Sequence, residues 1–507
     1  MSEEVHSIHS LSAYDDDKLQ KSLELNGVES QVEIEPPYTI FNQHEKYILI
    51  LILSFVGFWS TVSSPIYFPA LPTLTAYFHT TPAIMNLSIV AYLLFQGIAP
   101  TVASNLADNF GKRPVIIASI IIYVASCVAI SQTNVYWLLA VLRCIQAAGI
   151  APVIAISSGV AGDVCTAADR GGFVGVVAGF QLVGNGLGGL LGAVLISSFN
   201  SWRAIFIFLA IGAGVTFIFC LFCLPETARN IVGNGSVIPK NFFNKSAMIY
   251  LPHFRRKLNN ETSTISEQTA FDFWSPFRIF FKPDVFFTLF PVGMQFAAWT
   301  MVLASISTEL ESSAYNYSVL KVGLIYLPQG IACLLGSMVI GKVLNVYYTY
   351  RRNKYEEKYK DTIERPPFNI VKTRLDICIF PAAMMIIGLL IFGWCLQYRK
   401  NISSIIISTI LIAFSSSAFI SACTTMLVDL YPGKGSASTS CLNLMRCWLA
   451  ALGSGVLDKM ISSMGLGGCY TLVAGLCLLA DLSLFYVVHS IGNRIKHSVP
   501  VSPVASD

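Results

Sequence analysis

An all-α membrane protein of twelve transmembrane helices in two pseudo-symmetric six-helix bundles is the fold this sequence predicts, on three observations. First, only 12% of the 507 residues are charged and 54% are hydrophobic, about half the charged fraction of a soluble domain; mean hydropathy is +0.62. Second, the apolar residues gather into twelve runs, each near the ~20 residues that cross a hydrocarbon layer. Third, the runs are solid blocks without the alternation of a membrane β-barrel, so their backbone groups must be satisfied inside helices.

Residues 1–46 come first. They are polar and mostly acidic, with Asp15, Asp16, Asp17, Glu33 and Glu35, and read as a disordered cytoplasmic tail. A cleaved leader opens basic and then turns apolar, so the first run is expected to stay as a span. Runs 47–69, 84–106, 114–132, 135–160, 173–196 and 204–224 make one bundle over 47–224. A basic central loop occupies 225–283. The second bundle, 284–490, holds runs 284–307, 320–344, 375–397, 403–427, 437–458 and 469–490, and a short tail follows over 491–507. Apart from the central loop and 345–374, the connections are short, which makes neighbouring helices antiparallel.

The placement of Lys and Arg sets the orientation. With the N-terminus inside, 26 of the 33 basic residues fall on the cytoplasmic side, 5 outside, and Arg143 and Arg446 within spans. That bias puts both termini in the cytoplasm. Small traces of duplication accompany the six-plus-six count: Asp163 and Asp429 close the fourth and tenth runs, and basic pairs follow the second and eighth. Related halves usually hold their site between them, near mid-membrane.

Several chemistries are excluded or disfavoured. A net charge of +4 is too small to argue for nucleic acid. Most of the thirteen cysteines lie inside apolar runs, Cys220 and Cys223 included, and read as small buried residues, not a disulfide framework or metal site. No GxxxxGK[ST], HExxH or GxSxG motif is present. The chain is therefore expected to be a transporter without a cofactor, driven by a solute or proton gradient.

Charges inside spans are costly and tend to mark function. Arg143 lies in LLAVLRCIQAAG with Gln146 on the same helical face. It reads as a cavity-facing cation near a proton site, against the alternative of a structural pairing. Arg446, in CLNLMRCWLAALG, has Asn443 three residues earlier. Asp481, in GLCLLADLSLFY, reads either as a proton carrier or as a fixed partner of Arg446. Gly184, Gly188 and Gly192 form a stripe that lets helices touch, and Gln181 and Asn185 add polar groups to the same helix. With Tyr67, Gln146, Gln295, Trp299, Gln329, Asn443 and Arg446, they are candidate walls of a cavity for amphipathic organic solutes. Asn316, in Asn-Tyr-Ser, is a candidate glycosylation acceptor.

These residues resemble the major facilitator superfamily, in particular the twelve-span drug:proton antiporters of fungi and their quinidine- and weak-acid-resistance branch. The loop Ser104-Asn-Leu-Ala-Asp108-Asn-Phe-Gly111-Lys112-Arg113 resembles the superfamily's loop between spans two and three, with Ser104 where Gly is usual and Asn109 where a basic residue is usual. Arg143, Gln146 and Gly149 match the fourth-span motif. Gly175, Gly184, Gly188 and Gly192 match the fifth-span antiporter motif, with Gly189 in place of its Pro and Ala193 in place of its last Gly. SSPIYFPALPTL with Pro65, Pro69 and Pro72, Trp202-Arg203, LPETARNIVGNGS over 224–236, and Asn443-Leu-Met-Arg446-Cys447 complete the resemblance, which spans about 45–490.

The resemblance implies the major facilitator fold and alternating access. It assigns Asp108, Gly111, Lys112 and Arg113 to an inner gate, beside which Asp163 and Arg170 are read as gating residues. It assigns Arg143 to proton coupling and the glycine stripe to the interface on which the halves rock. The expected function is proton-coupled export of drugs or weak organic acids by a monomer in the plasma membrane, the vacuolar membrane being the alternative. Export of an endogenous metabolite, such as a polyamine, an amino acid or a spore-wall precursor, is the second reading.

Overall fold

Hydrocarbon offers no water to backbone N–H and C=O groups, so apolar runs of this length must close their hydrogen bonds within helices. The computed structural model describes residues 38–250, 252–255, 257–258, 274–311, 317–360, 368–431 and 434–490. Ten of its long apolar helices are α1 (Gln43–Tyr77), α2 (Ile84–Phe110), α3 (Lys112–Gln132), α4 (Tyr136–Val164), α5 (Ala167–Phe199), α6 (Arg203–Cys223), α7 (Val285–Leu310), α8 (Val319–Lys358), α9 (Ile370–Gln397) and α10 (Ile402–Leu430). The last continuous stretch, Gly435–Ser490, is interrupted at Gly465, whose φ of 71° and ψ of 173° no helix contains. Its two arms, α11 (435–464) and α12 (466–490), run in opposite senses along α7. Gly293 meets Met445 and Gly453 meets Met301, whereas Gln295 meets Asp481 and Ser305 meets Tyr470. Among the described residues, eleven apolar helical stretches thus make twelve crossings.

Local chemistry sets the ends and breaks. Asn42 and the N3 residue Glu45 form a capping box, so α1 begins at Gln43, ahead of the apolar run. In α1 the prolines at 65, 69 and 72 remove three N–H donors. The helix gives way at Ser63 to a 3-10 stretch, Pro65–Ala70, before resuming as Leu71–Tyr77. In α4 the ladder breaks at Ala151, ahead of Pro152. Asn200 caps α5 in the left-handed region. The eighth helix runs on to Lys358, well past its apolar part, on helix-forming polar residues.

The two halves meet along α5 on α8 and along α2 and α4 on α11. The first seam is made of backbone. A Cβ on Gly186 would lie 2.3 Å from the Cα of Gly330, one on Gly175 would lie 2.6 Å from the carbonyl of Ser337, and one on Gly341 would lie 2.7 Å from that of Gly171. Only residues without side chains allow this approach. The stripe Gly184–Gly188–Gly192 packs as small residues do, but in another direction. It faces Thr61, Pro65 and Ile66 of α1, in its own half. The expectation that this stripe forms the interface between the halves is corrected: the seam uses the glycines on the opposite side of α5.

Candidate functional site

At the end of the bundle where α2 passes into α3, Gly111 turns the chain with φ 115°. The turn lets Glu226, just after α6, cap the start of α3. Its Oε1 accepts from the N–H groups of Lys112 (2.9 Å), Thr227 (2.9 Å) and Ala228 (3.0 Å), and its Oε2 from that of Arg113 (3.1 Å). A Cβ on residue 111 would lie 2.6 Å from that Oε2, so glycine is required by space as well as by φ. Burial pushes the Glu226 carboxyl above the usual carboxylate range, and the four donors pull it part of the way back. An acid that holds its proton more tightly when folded stabilises the fold at low pH, and the gain fades as pH rises through its raised value. Glu226→Gln is therefore expected to remove part of the loss of stability that sets in as pH rises above the ordinary carboxylate range, read as the unfolding midpoint in detergent. Arg113 ties the same corner to the chain after α6, donating to the carbonyls of Leu224 (2.9 Å) and Leu221 (2.7 Å) and to that of Phe243.

This end of the bundle, the basic end, carries two buried acid clusters that echo one another. Asp163, closing α4, pairs with Lys112 of α3 at 2.5 Å. Asp429, closing α10, pairs with Arg374 of α9 at 2.8 Å. In each half the acid at the end of the fourth helix meets a base at the start of the third. Asp429 also pairs with Arg170 of α5, which makes it a bridge between the halves. Arg374 adds a second bridge, donating to the carbonyl of Ala167 at 2.8 Å, and Asn345 of α8 accepts from the N–H of Gly172 at 3.1 Å. Asp108 accepts from the N–H of Ala437 at the start of α11 through its Oδ2 (3.0 Å). Asp108, Gly111, Lys112, Arg113, Asp163 and Arg170 thus share one end with Asp429 and Arg374. Arg374 escaped the sequence reading because it counted only as one basic residue in a basic connection. The signal was its position, matching that of Lys112 in the other half.

Within the first half, Arg143 is fully buried between two aromatic rings. Its guanidinium lies 4.4 Å from the ring centre of Tyr67 and 4.1 Å from that of Tyr92. Its Nη1 donates to the carbonyl of Ser63, at the break in α1 (3.1 Å), and to Oε1 of Gln146 (2.8 Å). Gln146 continues to Cys127 at 3.1 Å, and Tyr67 to Ser88 at 3.2 Å. Nε and Nη2 of Arg143 find no partner, and no acid is paired with it among the described residues.

Arg446 occupies the middle of the molecule. Two narrow cavities between the halves, about 30 and 20 Å³, both reach it, and each has room for about one water. Its Nε donates to Asn443 at 2.8 Å, and its guanidinium lies 4.9 Å from the ring centre of Phe296. Asn443 in turn donates to the carbonyl of Gln96 in the other half at 2.6 Å. Gln181 lines one cavity and Asn185 the other. Arg446 has no ion-pair partner among the described residues, in contrast to Arg170 and Arg374 of the basic end.

In the second half, Asp481 is 2% exposed and faces Gln295, whose Nε2 donates to both carboxylate oxygens at 3.0 and 3.3 Å. It forms no ion pair with Arg446 among the described residues, so the fixed-partner alternative does not describe this state. Trp299 donates to Gln329 across α7 and α8 at 3.4 Å. The structure therefore sorts the sequence candidates into separate places. Gln181, Asn185, Asn443 and Arg446 meet at the centre, while Tyr67 and Gln146 lie with Arg143. Gln295, Trp299 and Gln329 lie inside the second half, off the two cavities' walls except through Phe296 and Thr300. Asn316 lies outside the described residues.

Polar groups buried midway between two bundles and helices of spanning length are the marks of a membrane transporter. The family model for the Major Facilitator Superfamily matches residues 49–354. The chain is 66% identical over 483 residues to the MFS antiporter QDR2 of Candida albicans, across 95% of this chain and 96% of that protein. It is 37% identical over 476 residues to quinidine resistance protein 1 of Saccharomyces cerevisiae, across 89% and 84%. Among solved structures, the proton:xylose symporter XylE aligns with a TM-score of 0.63 at 14% identity, over 88% of this chain and 96% of that one. The chain belongs to the major facilitator superfamily; it is a secondary transporter and not an enzyme.

Proposed function

We propose that this chain is a proton-coupled exporter of drugs and other small organic solutes that works by alternating access. The observation that carries the reading is a pair of buried ionisable groups, without ion-pair partners among the described residues and held apart midway along the helices: Arg446 against the cavities between the halves, and Asp481 against Gln295 inside one half. A buried guanidinium with donors to spare binds an acceptor group or carboxylate on a solute, and its neighbour Phe296 offers an apolar face to the rest. A buried carboxylate that is hydrogen-bonded to an amide and has no ion-pair partner among the described residues can be ionised or protonated without breaking an ion pair, which is what a proton carrier needs. Asp108, Lys112, Arg113, Asp163 and Arg170, with Asp429 and Arg374, form the inner gate, and Arg143, resting on the carbonyl at the break in α1, links α1 to the proton-coupling step. The names of the relatives, an antiporter and a quinidine resistance protein, agree with this reading.

The Lys and Arg bias supports cytoplasmic termini, and the plasma membrane is the site of work for an exporter of this kind; the chain acts as a monomer, its site lying within one copy. Purified protein in proteoliposomes, given an inward proton gradient and a panel of weak acids, cationic drugs and polyamines, is expected to move at least one class, with transport lost when the gradient is collapsed. Transport that ignores the gradient would remove the coupling claim.

A further inference from the structure

The residues just before the first helix contain a feature that neither the family match nor the gate motifs include. Tyr38 lies ahead of the matched stretch 49–354, yet its side chain reaches into the basic end. Its hydroxyl donates to the carbonyl of Gly162 at 2.9 Å and accepts from Nη2 of Arg170 at 3.3 Å. Its ring lies under the guanidinium of Arg229, 3.8 Å from the ring centre, and its carbonyl accepts from Nη2 of Arg229 at 2.9 Å. Arg229 in turn donates twice to the carbonyl of Asp163, at 3.1 and 2.9 Å. One tyrosine therefore touches both acid clusters: Lys112–Asp163 through Arg229, and Asp429, the bridge between the halves, through Arg170. Its neighbours hold it in place. The N–H of Ile40 donates to the carbonyl of Asn234 at 3.1 Å, and Lys257 pairs with Glu45 at 2.8 Å.

We propose that Tyr38 is a positioning residue of the inner gate, orienting the Arg170 guanidinium toward Asp429 so that the basic end closes. A guanidinium on a long side chain has many rotamers, and holding one of them lowers the entropy lost when the ion pair forms. The aromatic ring and the hydroxyl divide the work: the ring fixes Arg229 on the first half, and the hydroxyl fixes Arg170 for the second. This rests on the alternating-access reading, in which the basic end opens and closes.

Cys165 is a built-in reporter. It is fully buried, its carbonyl accepts from Arg170 at 3.1 Å, and burial pushes its thiol up to about 12. A closed gate therefore shields it from reagents that need a thiolate. In inside-out vesicles holding the full chain, labelling of Cys165 by a membrane-impermeant maleimide, located by mass spectrometry, is expected to be about two- to tenfold faster in Tyr38→Phe, the scale of one lost hydrogen bond. In Tyr38→Ala the increase is expected to be at least as large. In transport assays from the same side, Tyr38→Phe is expected to lower the maximal rate and the half-saturating solute concentration together, because an opened gate binds solute readily but closes slowly. A purely structural role would lower the rate through protein yield and leave the labelling of the surviving folded protein unchanged. Labelling at the unaltered rate in both variants overturns the proposal. Faster labelling in a chain that moves no solute leaves the gate assignment standing and removes the transport reading instead.

Discussion

Arg143→Ala is expected to reduce proton-driven export by tenfold or more, a free-energy change of about 1.4 kcal/mol per decade, in protein that still reaches the membrane. The reason is the way the guanidinium is held. It is clasped by the rings of Tyr67 and Tyr92 and anchored to the carbonyl that the break in α1 sets free. Two of its nitrogens have no acceptor among the described residues, and each buried orphan donor costs on the order of 1–3 kcal/mol. A second state that supplies acceptors to those nitrogens is therefore favoured by Arg143 itself, and the residue biases the equilibrium that transport must traverse. Alanine removes that bias. Arg143→Lys keeps the charge but loses the planar stacking and the fork of donors, so it is expected to fall between the two. The measurement is gradient-driven flux in proteoliposomes, with size-exclusion behaviour as the folding check. Full flux in Arg143→Ala would show that the guanidinium is only structural.

The second large effect is expected at the glycine seam. Gly186→Ala places a methyl group 2.3 Å from the Cα and N of Gly330, closer than any pair of carbon atoms packs. Backbone cannot rotate away as a side chain can, so α5 and α8 must separate along this stretch. Flux is expected to drop at least tenfold, about 1.4 kcal/mol. Gly475→Ala is the matched control, since a Cβ there meets nothing within 4 Å and is expected to leave flux unchanged. If the two variants transport equally well, the close seam is not part of the cycle.

The number of crossings, the two-half plan and the mid-span charges were legible in the sequence because they depend on local properties: run length, composition and helical spacing. The same is true of Arg143 with Gln146 and Arg446 with Asn443, each pair one turn apart on one face. What the sequence left hidden depends on which helix lies next to which. A four-residue glycine repeat says that α5 has a smooth side, but α5 has two such sides, and only packing shows that Gly184, Gly188 and Gly192 face α1 while Gly175 and Gly186 face α8. Arg374 and Asp429 are 55 positions apart, and Arg170 and Asp429 259 apart, so their triad has no local signature. Tyr38 fell in a stretch that reads as acidic tail by composition. Its place is set by Gly162, Arg170 and, in the central loop, Arg229, partners that composition cannot name.

The carboxylate shared by Arg170 and Arg374 has a consequence for the cost of opening. Arg374 belongs to the same half as Asp429, so when the halves part, the acid surrenders one cation and keeps the other. Arg170, for its part, already rests on the carbonyls of Gly162 and Cys165. Those carbonyls solvate the separated guanidinium as dipoles but give it no counter-charge, so parting the halves costs the attraction between Arg170 and Asp429. The door therefore carries one unmatched cation when ajar, and dissolved salt, which screens the attraction being broken, is expected to tilt it toward the open position.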